Sequence, residues 1–158
     1  MSREIERKFL VNKLPNISQL EATEYERYFL FIDENSEIRI QRKGDNYELE
    51  RKVTRSSLKA EKQKLKISQR EYDILKQSCE KNISRISYTI SNSPKISIKI
   101  YSGDFKWLSR VKIEFQSESE ALDFVPDKWF WKEITHSPLW RDSTLVKLNK
   151  AEFLKLIN

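Results

Sequence analysis

Charged and apolar residues alternate with a period of two through most of the first two thirds of the chain, and this alternation constrains the fold more than any other feature. Successive side chains on a strand point to opposite faces, so a period of two writes one charged and one apolar face. Residues 4–11 set Glu4, Glu6 and Lys8 against Ile5, Phe9 and Val11, with Arg7 the exception. Residues 25–32 read as an apolar strand. Glu37, Arg39 and Gln41 oppose Ile38 and Ile40; Glu48, Glu50 and Lys52 oppose Tyr47, Leu49 and Val53. Residues 60–67 set Lys62, Lys64 and Lys66 against Leu65 and Ile67, and residues 83–90 set Arg85, Ser87 and Thr89 against Ile86, Tyr88 and Ile90. Ser97 and Lys99 oppose Ile96, Ile98 and Ile100 over 95–101, and Arg110, Lys112 and Glu114 oppose Val111, Ile113 and Phe115 over 107–115. Short polar turns such as Lys43-Gly44-Asp45-Asn46 and Ser102-Gly103-Asp104 join them. The pattern predicts about eight strands in an antiparallel meander.

Helices are fewer. Ser68-Gln69-Arg70-Glu71 is a capping box predicting a helix to Lys81, with Tyr72, Leu75 and Cys79 on one stripe. A second box, Ser117-Glu118-Ser119-Glu120, leads Ala121, Leu122 and Val125 into Pro126. A third helix is expected from Ser143 to Ile157. No repeat, low-complexity segment or linker interrupts the chain, so residues 1–158 read as a single domain.

Composition narrows the class. The 158 residues carry 30 Lys+Arg against 24 Asp+Glu, a net charge of +6, with 38% apolar and 11% aromatic residues, which excludes a disordered polyelectrolyte. The longest apolar run, Tyr28 to Ile32, is far below the roughly 20 residues of a membrane span. The charged start Ser2-Arg3-Glu4-Ile5-Glu6-Arg7-Lys8 is unlike a signal peptide. Cys79 stands alone, which excludes an internal disulfide, and no Cys/His spacing offers a zinc site. The expectation is a soluble cytoplasmic protein whose positive charge suits polyanions such as phosphates. Abundant Lys, Ile, Asn and Ser with scarce Ala and Gly is also what a genome poor in G and C produces.

The alternation does not say which way the charged face points. A sheet with its charged face in water is one arrangement. A closed barrel with charges lining a lumen and helices covering an apolar exterior is the other, and eight strands suffice to enclose a ligand-sized interior. Basic positions (Lys8, Arg39, Lys52, Lys62, Lys64, Lys66, Arg85, Lys99, Arg110, Lys112) outnumber acidic ones (Glu4, Glu6, Glu37, Glu48, Glu50, Glu114) on that face. Across neighbouring strands this mixture makes cross-strand ion pairs. Confined to a lumen, it would hold a highly charged anion together with a divalent cation.

The opening Glu4-Ile5-Glu6-Arg7-Lys8-Phe9-Leu10-Val11 resembles the Glu-x-Glu-x-Lys signature of the CYTH superfamily, the triphosphate tunnel metalloenzymes. The resemblance runs on through Glu37-Ile38-Arg39, Gly44, Lys52 and Val111-x-Ile113-Glu114-Phe115. It ends with Phe124-Val125-Pro126-x-x-Trp129-Phe130 and Glu133-Ile134-Thr135. It implies an α+β fold, a closed eight-stranded antiparallel β-barrel (a tunnel) with about three flanking helices and a charged lumen. It implies metal-dependent hydrolysis of inorganic triphosphate or a triphosphorylated organic substrate, or, as the alternative, non-catalytic binding of a polyphosphate or nucleotide. By position, Glu4, Glu6 and Glu114 would hold Mg²⁺ or Mn²⁺, and Lys8, Arg39, Lys52 and Arg85 would bind phosphate oxygens. Catalysis would rest on Glu4, Glu6, Lys8 and Glu114. The partner would be a small polyanion, with no membrane and no specific nucleic acid.

The chain departs from the family pattern at several positions. Gln41 stands where a second Arg is usual, and Lys62, Lys64, Lys99 and Lys112 stand at acidic tunnel positions under an ungapped alignment. A one-residue shift over 59–63 would instead present Lys59, Glu61 and Gln63. The closing Arg-Tyr-x-Asn segment reads Leu139-Trp140-Arg141-Asp142. Each acid-to-Lys exchange adds two charges locally and removes a possible metal ligand. The lysines would therefore either pair internally with the remaining glutamates or tighten polyphosphate binding while slowing turnover. Among other residues, His136 reads as a turn residue and Cys79 as packing. Trp129, Trp131 and Trp140 read as core closing one barrel end, and Lys59, Lys62, Lys64 and Lys66 as a solvated edge, or, if they face outward, a nucleic-acid patch that no RNA- or DNA-binding motif accompanies.

Overall fold

A computed structural model describes residues 2–158. Nine strands form: β1 (Ser2–Val11), β2 (Ala22–Ile32), β3 (Ser36–Lys43), β4 (Asn46–Thr54), β5 (Lys59–Ile67), β6 (Asn82–Asn92), β7 (Lys95–Tyr101), β8 (Ser109–Glu114) and β9 (Phe130–Glu133). They run in the order β5-β4-β3-β2-β6-β7-β8-β1-β9, and β5 also pairs with β1, which closes the first eight into a barrel. β9 lengthens the sheet beside β1, opposite Phe9 and Val11. All pairings are antiparallel. The meander is interrupted twice, because β2 pairs with β6 rather than β1 and a helix crosses from β5 to β6. At the β3–β4 turn Gly44 takes a φ of +59°, a conformation glycine adopts without the Cβ penalty.

The open question of which face lies inside is answered by burial. Arg39, Glu50, Arg85, Lys99 and Arg110 are buried within the barrel, while its apolar face looks outward and is covered. Ile40 and Ile67 pack with Tyr72 of α1 (Gln69–Lys76). Ile5, Phe9, Val111, Ile113 and Phe115 pack with Ala121 of α2 (Glu118–Asp123). A third core at one barrel end gathers Leu10, Tyr101, Ile134, Trp140, Leu145 and Phe153, contributed in part by α3 (Asp142–Leu145) and α4 (Lys150–Ile157).

Four helices therefore flank the barrel, where three are expected from the sequence. The segment Ser143–Ile157 is two helices because Asn149 starts a new one: its side chain accepts from the Glu152 amide and its amide donates to Glu152 Oε1. The Ser68 box opens α1 as predicted, but the helix ends at Lys76, not Lys81, where the amides of Gln77, Ser78 and Cys79 bond three residues back. Ser117 likewise caps α2, which stops at Asp123 and leaves Val125 exposed and extended before Pro126. Arg7, the exception to the alternation, faces outward. Its guanidinium donates to the carbonyls of Ala121 and Phe124 and pairs bidentately with Glu133, tying β1 to the end of α2 and to β9.

Candidate active site in the barrel lumen

The lumen divides into two halves of different chemistry. In the first, the strict alternation of β1 aims Glu4, Glu6 and Lys8 inward, and lysines from three other strands meet them. Lys62 Nζ of β5 lies 2.9 Å from Glu4 Oε2, and Lys52 Nζ of β4 lies 3.5 Å from Glu4 Oε1 and 3.8 Å from Glu6 Oε1. Lys8 Nζ is 3.2 Å from Glu6 Oε1 and Lys112 Nζ of β8 is 3.7 Å from Glu6 Oε2. Burial and Glu6 oppose ionisation of Glu4, but Lys52, Lys62 and Lys112 outweigh them and bring it down to about 2. Glu6 is likewise held well below the ordinary carboxylate range, its burial overcome by Lys8, Lys112 and Lys52. Both carboxylates are therefore charged at neutral pH.

Glu50 of β4 is fully buried nearby. It accepts from Arg39 at 2.7 Å and from Gln41 Nε2 at 2.5 Å, with Lys62 Nζ at 3.7 Å. Arg39 also reaches Glu37 at 3.0 Å. Gln41 thus fills the space of a second arginine by donating to Glu50 and Glu48 while accepting from Arg27.

The second half is an arginine nest around one carboxylate. Asp142, at the start of α3, pairs with Arg27 (2.9 Å), Arg85 (3.0 Å) and Arg110 (2.9 Å), and accepts from the Tyr101 hydroxyl at 2.5 Å. Arg110 also donates to the Trp140 carbonyl and to the Tyr101 hydroxyl. Trp140 and Asp142 so close one end of the barrel, as expected for Trp140. Trp129 instead packs beside Phe130 on the outer wall, and Trp131 is exposed.

Between the halves lies a cavity with about 80 Å³ of open space, where one water needs ~10–15 Å³. Glu4, Glu6, Lys8, Arg39, Lys52 and Arg85 all line it, so six of the seven residues singled out from sequence converge there. The seventh is placed differently. Glu114 stands opposite Glu6 in the β1–β8 register, but its carboxylate is partly exposed, 3.8 Å from Lys95 and outside the cavity lining. Among the described residues no three His, Cys, Asp or Glu side chains are grouped to hold a metal, so the expected Glu4–Glu6–Glu114 triad is not assembled. Two of the lysine replacements, Lys62 and Lys112, lie beside Glu4 and Glu6 instead, and Glu114 lies toward Lys95 at the rim.

The ungapped register also holds: Lys62 faces the lumen, whereas Glu61 pairs with Arg55 outside. Lys99 and Lys112 are inside, while Lys64 is largely exposed at 3.9 Å from Glu50. Lys59 bridges to Glu118. Sequence reasoning missed Arg27, hidden in a segment read as wholly apolar. Its signal was a single charge sharing parity with Tyr25 and Phe29, on the inward face of β2. His136 sits at the surface beside Ser57, and Cys79 Sγ lies 3.5 Å from the Phe29 carbonyl.

Four buried atoms of charged groups in this lumen lack a hydrogen-bond partner, Glu4 Oε1, Glu6 Oε2, Arg85 Nε and Arg110 Nε, as does the neutral Ser97 Oγ opposite Lys112. An unmade hydrogen bond at a buried polar atom is costly, so such atoms mark places where a ligand or ordered water completes the site. Here two acceptors stand in one half and two donors in the other.

No family model matches the chain. An inorganic triphosphatase of Nitrosomonas europaea is 26% identical over 146 residues, 90% of this chain and 95% of that protein. A crystal structure of an inorganic triphosphatase superposes with a TM-score of 0.69 at 25% identity, covering 92% of this chain and 95% of the other. A Hippeastrum protein with a dominant triphosphatase activity shares the fold at a TM-score of 0.52 and 12% identity, over 75% of this chain and 82% of that one. With the Glu-x-Glu-x-Lys strand lining a closed eight-stranded barrel, the chain shares the fold of these triphosphatases, as its resemblance to the CYTH superfamily implies.

Proposed function

We propose that the lumen hydrolyses a triphosphate, inorganic triphosphate or the triphosphate of a small organic molecule, with Mg²⁺ or Mn²⁺ as cofactor. The observation that carries this reading is that two carboxylate oxygens, on Glu4 and Glu6, and two guanidinium Nε–H groups, on Arg85 and Arg110, belong to residues lining one cavity and have no hydrogen-bond partner. The relatives' triphosphatase activity supports it.

The donor set fits a hard divalent cation that keeps most of its ligands from elsewhere. Mg²⁺ takes one or two carboxylates and completes its shell with phosphate oxygens and waters. Glu4 Oε1 and Glu6 Oε2 would be those carboxylates, with Glu114 joining only if it leaves Lys95. When bound, such a cation neutralises phosphate charge and lowers the pKa of a coordinated water. The remaining work falls to the chain. Lys8, Lys52, Arg39 and Arg85 would bind phosphate oxygens and hold the terminal phosphoryl group in line with an attacking water. A P–O bond to the water oxygen would form as that water gives its proton to solvent, the bridging P–O bond would break, and diphosphate would leave with its developing charge matched by the arginine half.

A specific observation favours the non-catalytic alternative: every β1 glutamate in the lumen already lies beside at least two lysines. ³¹P NMR of tripolyphosphate incubated with folded protein and Mg²⁺ or Mn²⁺ separates the two. The expected result is conversion to diphosphate and phosphate. Unchanged tripolyphosphate whose resonances broaden on binding would establish a binder, and neither change would remove both readings.

A further inference from the structure

We propose that Lys99 binds an oxygen of a polyphosphate in the lumen and takes up a proton as it does so. This rests on the reading of the lumen as a polyphosphate site. Four lysines in the cavity wall, Lys8, Lys52, Lys62 and Lys112, lie within 4 Å of a lumen carboxylate, whereas Lys99, at 5% exposure the most buried of them, has no carboxylate partner among the described residues. Its Nζ donates to Ser87 Oγ at 2.8 Å, the residue opposite it on β6, and makes no other hydrogen bond.

The groups facing Lys99 are almost all cationic. Arg85 comes from β6, Lys112 and its register partner Arg110 from β8, and Arg27 from β2, with the Tyr25 ring 5.2 Å from Nζ. Asp142, the acid nearest in the arginine half, is saturated by Arg27, Arg85 and Arg110, and Glu114 sits toward the rim. An ammonium there would be buried among like charges with only the Tyr25 ring face and the Ser87 hydroxyl beside it and no anion to balance it. Burial first, then Lys112, Arg85 and Arg27, bring its pKa down to about 4, so in the empty lumen it is a neutral amine.

A polyanion reverses that balance. Phosphate oxygens placed against the free Arg85 and Arg110 donors bring negative charge onto the same wall, and an ammonium at Lys99 then gains a partner it otherwise lacks. The proton comes from solvent; no covalent bond is made or broken. Binding is thereby linked to proton uptake, and affinity weakens up to about tenfold per pH unit through the range between the free and bound pKa values.

The test compares wild type with Lys99→Met, with Lys99→Gln as a second variant. Calorimetric titrations with tripolyphosphate, near pH 7.5 in two buffers of different ionisation enthalpy, report the protons taken up on binding. Lys8 and Lys62 remain in the variants, so the difference between proteins belongs to Lys99. The expected result is about one proton more in wild type and about tenfold weaker binding in both variants. In wild type labelled with ¹³C-lysine, the Cε resonance lost in the variants should move from amine to ammonium position at saturation. Equal proton uptake with an unmoved Cε resonance would overturn the proposal while leaving the site's ligand intact. No tripolyphosphate binding by folded wild type would instead overturn the reading of the lumen, and this inference with it.

Discussion

At the scale of single residues, the lumen is a set of like-charged groups held together by few counter-charges, and its pH response follows from that. Asp142 is pushed well below the usual carboxylate range: burial opposes its ionisation, but Arg85, Arg110 and Arg27 overcome it. A depressed carboxylate contributes stability above its unfolded pKa of 3.8 that is lost as pH falls below it. Lys99 acts in the same direction by a different route. Between about 4 and the ordinary 10.5 the unfolded chain binds a proton that folded Lys99 does not, so raising the pH favours the folded state. The melting temperature of the ligand-free protein should accordingly rise from about pH 6 to about pH 9, and Lys99→Met should flatten the rise; thermal unfolding across that range checks both. The inward set was readable here because Glu4, Glu6 and Lys8 sit at strict alternate positions. Arg27 was not, since one charge among Tyr25, Tyr28, Phe29 and Leu30 carries little weight in a count of apolar residues.

At the scale of elements, the helices are fixed by their caps and the plug by its ion pairs. Asn149→Ala removes the side chain that restarts the last helix and should cost about 1 kcal/mol, seen as a melting temperature lower by ~2–4 °C, with lumen chemistry unaffected. Asp142→Ala is a far larger change, because it strands Arg27, Arg85 and Arg110 in the barrel interior. A loss of about 3–5 kcal/mol is expected in denaturant unfolding. The Ser68 capping box and the Ser117 cap locate two helix starts in the sequence because the partners Glu71 and Glu120 lie within four residues, although the Glu120 carboxylate takes the Gln116 amide and leaves the second box half made. Helix ends are less local. α1 stops early where the chain must turn back toward β6, and the break at Asn149 escapes an apolar periodicity that continues across it. β9 escapes for the opposite reason: its four residues pair only with the far end of β1, a long-range partner no short window contains.

At the scale of the whole molecule, closure decides function. The alternation fits an open sheet and a barrel equally; the β1–β5 pairing chooses the barrel and turns a charged face into a charged interior. An excess of buried cations in that interior predicts stabilisation by a polyanion. Millimolar tripolyphosphate should raise the melting temperature by several degrees, since a ligand present at 100 times its Kd adds about 2.7 kcal/mol, and the gain should shrink as salt increases. Differential scanning calorimetry at two ionic strengths measures it. The family resemblance correctly located the Glu-x-Glu-x-Lys strand within the lumen. Internal pairing of the lysines with the remaining glutamates, one of the two outcomes read from the replacements, is what Lys62 and Lys112 do from β5 and β8 on either side of β1.

The most direct test of the central claim is steady-state phosphate release from inorganic triphosphate with Mg²⁺ and then Mn²⁺, measured for wild type, Glu6→Ala and Glu114→Ala side by side. The account predicts release by wild type, its loss by 10²-fold or more in Glu6→Ala, in the range of a lost transition-state charge contact, and a smaller effect in Glu114→Ala. Release that survives in folded Glu6→Ala would contradict it, because the reaction would then not depend on the carboxylates of β1.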